Sequence, residues 1–209
     1  MHQNAIKSTP SSHSDLPHFF NSLGKSYLGR YKHTGNLQDI DSAISYHQSA
    51  VEFTPCGHAD LPSFFNSLGN SCLGRFKYTS DPQDINCAIS YHWHQNAVKS
   101  TPSGHPDLPS FFNSLGNSYS CRFEYTHDLQ DINHAISYHQ NAIKSTHSGH
   151  PDLPNFFNSL GNSYSCRFEY TRALHWQDID HHISKSQILL VAFDRIWPHL
   201  ASFQTASKW

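Results

Sequence analysis

Phe65, Leu68, Cys72 and Phe76 recur at spacings of 3, 4 and 4, which places them on one stripe of an α-helix. The same stripe is written three more times, as Phe20, Leu23, Tyr27, Tyr31, then Phe112, Leu115, Tyr119, Phe123, then Phe157, Leu160, Tyr164, Phe168. A second helical pattern follows each: Ile40, Ala43, Ile44, His47, Ala50 and Val51 form its buried side in the first copy, with Pro55 just past its end. The triplets Asp15-Leu16-Pro17, Asp60-Leu61-Pro62, Asp107-Leu108-Pro109 and Asp152-Leu153-Pro154 open the copies at offsets of 45, 47 and 45. Two periodic helices per copy make this a repeat array, in which each unit stacks on its neighbours.

Punctuation supports the helices. Asp15, Asp60, Asp107 and Asp152 fit as N-caps of the first helix, with the following Pro tolerated in the first turn. Asn36, Asp81 and Asp128 fit as N-caps of the second, where Asp39, Asp84 and Asp131 fall on the helix dipole's positive end. Gly24, Gly69, Gly116 and Gly161 interrupt the middle of the first helix, at a cost of about 1 kcal/mol relative to Ala. Their recurrence predicts a close approach of the facing helix, with Ala43, Ala88 and Ala135 the expected contacts.

The series Phe20, Leu23, Gly24, Tyr27, Ala43, His47, Ala50, Pro55 resembles the tetratricopeptide (TPR) signature, lengthened from 34 residues to 45. The lengthened unit, with its Asn-x-Leu-Gly-Asn-Ser and Gly-His-Pro-Asp-Leu-Pro blocks, is similar to fungal TPR arrays that often precede a caspase-like CHAT protease domain. The resemblance implies an all-α fold: a TPR-like α-solenoid, a right-handed superhelix of antiparallel helix pairs. It covers residues 1–183, with a partial unit at 1–13, repeats at about 14–58, 59–105 and 106–150, and a degenerate copy at 151–183. Residues 184–209 form a non-repeat tail. Two extra residues around His92-Trp93-His94 predict a bulge or shifted register in the second helix of copy two, and Leu174-His175-Trp176 with His182 predicts a degraded last second helix.

Composition narrows the function. Lys+Arg number 14 against 16 Asp+Glu, so no basic stripe tracks phosphates and nucleic acid is not an expected partner. The longest strongly apolar run, Ile188 to Phe193, is too short to span a membrane, and the start of the chain carries no signal-peptide pattern. Five widely spaced cysteines with no C-x-x-C fit neither a disulfide framework nor a zinc knuckle, so a reducing, cytoplasmic location is the expectation. Cys121 and Cys166 share one repeat position and are expected to be small packing residues.

Eighteen histidines raise the question of metal binding. Those at one repeat position would lie roughly 16 to 20 Å apart if neighbouring helices pack at 8 to 10 Å, far beyond shared coordination. No cofactor or metal is expected, and neither a caspase-type block nor a Gly-x-Ser-x-Gly elbow appears, so no enzyme activity is expected. Complete histidine protonation would move the net charge from −2 to about +16, which predicts weaker folding below about pH 6.

The candidate site is an asparagine ladder. Asn66 and Asn70, Asn113 and Asn117, and Asn158 and Asn162 are i, i+4 pairs on the first helices, with Asn21 and Lys25 in copy one. An amide donates and accepts at once, matching an extended peptide backbone. Since the resemblance implies that first helices line the concave surface, the ladder would pave a groove for a protein or peptide partner. Lys25, Arg30 or Arg75 would favour acidic groups. The competing role is solvation of the helices or bonding between copies. Phe19, Phe64, Phe111 and Phe156 are expected in the core instead of gripping a ligand. Two further expectations are a repeat or sensor segment of a multidomain CHAT-type protease or signalling protein, or a truncated remnant without its effector domain, and self-association through uncapped repeat ends.

Overall fold

The computed structural model describes residues 14–93 and 105–175, and all regular structure among them is helical. The first of two compact units ends at Tyr164. It contains α1 (Leu16–Thr34), α2 (Leu37–Glu52), α3 (Leu61–Thr79), α4 (Pro82–Trp93), α5 (Leu108–Thr126) and α6 (Leu129–Lys144), then α7 over residues 153–164. In the second unit, residues 165–175 are helical. The partial unit 1–13, the fourth second helix and the tail lie outside the described residues, and so does the insertion beyond Trp93.

The first helices α1, α3 and α5 each pack on the second helix of their own copy, and α2 and α4 pack on the first helix of the next. The first helices α1, α3 and α5 also touch in sequence. Turns of only two residues, Gly35-Asn36, Ser80-Asp81 and His127-Asp128, join the members of a pair and make them antiparallel neighbours. The turn needs its first residue left-handed: φ is +68° at Gly35, +55° at Ser80 and +58° at His127. Its second residue caps the next helix as expected, since the side chains of Asn36, Asp81 and Asp128 each accept an amide at 2.9 Å.

The caps of the first helices differ from expectation. Asp15, Asp60 and Asp107 occupy the N-cap position with helical backbone angles, and none accepts a capping hydrogen bond. Instead the Asp60, Asp107 and Asp152 amides donate to Nδ1 of His58, His105 and His150, at 3.2, 3.2 and 3.1 Å. A ring two residues upstream closes the turn, because the helical angle at the N-cap points the carboxylate away from the amides it would accept.

The core packs Ile40, Ala43, Ile85 and Ala88 with Leu68 and Leu115, and the equivalent Ile132 and Ala135 of the third copy are equally inaccessible. Of the paired phenylalanines, Phe64, Phe111 and Phe156 are buried, as expected. Phe65 stacks at 6.2 Å on Tyr91 of its own second helix. In the third copy Tyr138 lies between Phe112 and Tyr119, at 6.4 and 5.6 Å, and Tyr46 between Phe20 and Tyr27 repeats this sandwich.

Candidate functional site

The ladder divides into two rows. Asn21 is buried, and the side-chain oxygens of Asn21, Asn66 and Asn113 are buried with no hydrogen-bond partner. These three cannot offer a carbonyl to a ligand on the surface as they stand. In the second row Lys25 and Asn162 are exposed and Asn70 is half-buried, while Asn117, also half-buried, turns its Oδ1 inward toward the second-helix histidine of its own copy, His139. Asn158 is exposed as well. Lys25, Asn70 and Asn117 hold one repeat position on helices that touch in sequence, α1 on α3 and α3 on α5.

Behind the ladder lies a buried histidine row. His47, His92 and His139 are at most 1% exposed. Each ring rests on the mid-helix glycine of its own copy. A Cβ on Gly24 would lie 2.4 Å from His47, on Gly69 2.6 Å from His92, and on Gly116 2.4 Å from His139. The glycines therefore make room for the histidines, where the alanines had been expected.

Each of these histidines also reaches forward to the next copy. Nδ1 of His47 lies 2.9 Å from Ser71 Oγ, that of His92 2.9 Å from Ser118 Oγ, and that of His139 3.0 Å from Ser163 Oγ. In the third copy Nε2 also sits 3.3 Å from Asn117 Oδ1. An amide oxygen only accepts, so Nε2 is the protonated nitrogen in this contact. His47 and His92 have no such side-chain partner for Nε2 at hydrogen-bonding distance, and the backbone carbonyls of Asn21 and Asn66 exert the nearest pull. Burial outweighs that pull and lowers all three imidazoles to about 4. These are neutral joints between copies. A Ser–His pair this enclosed has no room for a substrate.

The arginines form a second recurring joint. Arg30, Arg75 and Arg122 each grip the second-helix aspartate of their own copy with two nitrogens: Nε lies 2.6 Å from Asp39, 2.9 Å from Asp84 and 2.8 Å from Asp131. The aspartates are only 3% exposed. The Arg30 guanidinium holds the Asp39 carboxyl below its usual range. Arg75 and Arg122 extend their third nitrogen to the preceding copy, to Asp41 at 2.8 Å and Asn86 at 3.2 Å. Arg30 and Arg75 thus each hold carboxylates of this chain. The pairing was readable in principle as an Arg followed nine residues later by Asp in three copies.

A shallow groove of about 480 Å³ between α3 and α5 went unread in the sequence; Phe76, Lys77, Ser80, Cys121, Glu124 and Tyr125 line it. In the preceding copy Tyr31 donates to the Gly74 carbonyl at 3.2 Å. Phe76 occupies the same register without a hydroxyl, opposite Cys121. Among the described residues no three His, Cys, Asp or Glu side chains cluster at metal-binding range, and no helix is long and apolar enough to cross a membrane.

Comparison with solved structures supports an all-helical fold and goes no further. The chain is similar to BtubC (BKLC) from P. vanneervenii, with a TM-score of 0.52 and 17% identity over 82% of this chain and 66% of that one. This chain thus spans about two thirds of that structure's length. No protein-family model matches the chain, and no curated protein does.

Proposed function

We propose that the chain is a TPR-like α-solenoid, a right-handed superhelix of antiparallel helix pairs, acting as a non-catalytic protein-interaction module. It binds an extended peptide or a partner protein along the face formed by its first helices. The observation that carries this reading is the outward row of Lys25, Asn70 and Asn162, set over a core whose recurring histidines and arginines are already paired with other residues of the chain. An amide at one position per copy suits a backbone more than a particular side chain. Lys25 adds a cation at one end of the row.

The inward row has a different part. With their oxygens buried beside the histidine joints, Asn21, Asn66 and Asn113 serve as packing residues and not as contacts for a ligand. The test therefore uses Asn70→Ala and Asn162→Ala together, which leave the contact between Asn117 and His139 intact, screened with the intact chain against a displayed library of extended peptides. Peptides held by the intact chain at micromolar affinity and lost from an equally stable double variant support the reading. Equal binding by both chains would sink it.

A further inference from the structure

We propose that the open face of α1, formed by Phe19, Ser22 and Ser26, is the docking site of the chain's own residues 2–9. In every later copy the equivalent face is covered. Phe64, Phe111 and Phe156 are 2, 2 and 3% exposed, and Ser71, Ser118 and Ser163 are 0, 0 and 2% exposed. In α1 the same positions are left open: Phe19 is half-buried and Ser26 exposed.

What covers the later faces is the second helix of the preceding copy, through His47 on Ser71, His92 on Ser118 and His139 on Ser163. The last of these helices ends in the sequence His139-Gln140-Asn141-Ala142-Ile143-Lys144, followed by Ser145-Thr146. Residues 2–9 are the same eight amino acids, His2-Gln3-Asn4-Ala5-Ile6-Lys7-Ser8-Thr9. In α6 two of them, His139 and Ala142, are 1 and 0% exposed.

The spacing agrees as well. His47 precedes Ser71 by 24 residues, His139 precedes Ser163 by 24, and His2 precedes Ser26 by 24. An identical segment at an identical distance from an equivalent serine therefore meets an open copy of the surface it covers elsewhere. His2 supplies the ring for Ser26, and Ala5 the small contact that lets the segment lie close. This occupant is intramolecular, and nothing about it depends on the peptide-binding reading.

The experiment is a double-mutant cycle in the full chain: His2→Ala, Ser26→Ala and both together, with His139→Ala and Ser163→Ala as the reference pair. Ala is the better helix former, so an undocked Ser26→Ala would raise the melting temperature or leave it unchanged. Docking predicts a fall of about 3 °C for either single change, with the double variant close to the singles. Hydrogen exchange across residues 19–28 should quicken in a His2→Asp chain. Additive effects in the cycle, or unchanged exchange, would overturn the proposal. Protection of α1 that disappears on dilution would overturn it too, by assigning the face to a second copy.

Discussion

The imidazole of His92 fills the space that a side chain on Gly69 would need: a Cβ there would sit 2.6 Å from both Cδ2 and Nε2 of the ring. Both ring atoms are held, since Nδ1 is bonded to Ser118 across the joint. Gly69→Ala therefore gains about 1 kcal/mol of helix propensity but costs more in overpacking, and a net loss of about 2 kcal/mol is expected. Chemical denaturation would measure it. Adding His92→Ala to Gly69→Ala should cost less than the two single losses summed.

The histidine joints make stability depend on pH with a definite sign. In the unfolded chain the three imidazoles take up protons below about 6.5, while the folded ones resist until about 4. The unfolded state then binds more protons, so stability is full above pH 6.5 and falls as pH drops toward 4. The loss is about 1 kcal/mol per histidine at pH 5.5. Melting curves at pH 7.5 and 5.5 should differ by several degrees, and His47→Gln should narrow the difference while lowering stability at both.

Arg75 should not tolerate a change of shape. Arg75→Lys keeps the charge but loses the two-point grip on Asp84, whose carboxylate is 3% exposed, and the link to Asp41. A loss of about 2 kcal/mol is expected for Arg75→Met, and Asp84→Asn in the same chain should recover part of it by removing the stranded charge. Urea unfolding of the four chains would settle the coupling.

Two positions invite stabilisation. Ser80 and His127 hold the left-handed angle that Gly35 supplies in the first copy. Ser80→Gly and His127→Gly should each raise stability by about 0.5 to 1 kcal/mol, readable as a higher melting temperature. The same change at an exposed mid-helix position such as Ser45 should do the opposite.

The helices and their copy number were legible because the apolar spacing repeats, and a stripe such as Phe65, Leu68, Cys72, Phe76 has one geometrical reading. The caps of α2, α4 and α6 were legible for a similar reason, as the bond from Asn36 to Gln38 spans two residues. What spans copies was not. Gly69 announces a close contact but not its partner, because His92 and Ala88 lie one turn apart on the same buried face of α4. The ladder was read as one face since Asn66 and Asn70 differ by four residues. Only packing shows that the Asn66 oxygen is covered while Asn70 remains partly open. Arg75 looked available for the same reason: its carboxylate stands on another helix.

Each histidine joint uses one residue from the copy before it and one from the copy after it, and the same two residue types meet at all three. His92 bridges a spacing of 26 residues and His47 one of 24, yet both arrive 2.9 Å from a serine. The copies are interchangeable parts with a common fitting. A gene segment encoding one of them can be duplicated or lost by unequal exchange without redesigning either neighbour, so the length of such an array can change in whole steps within a lineage while every internal seam stays closed.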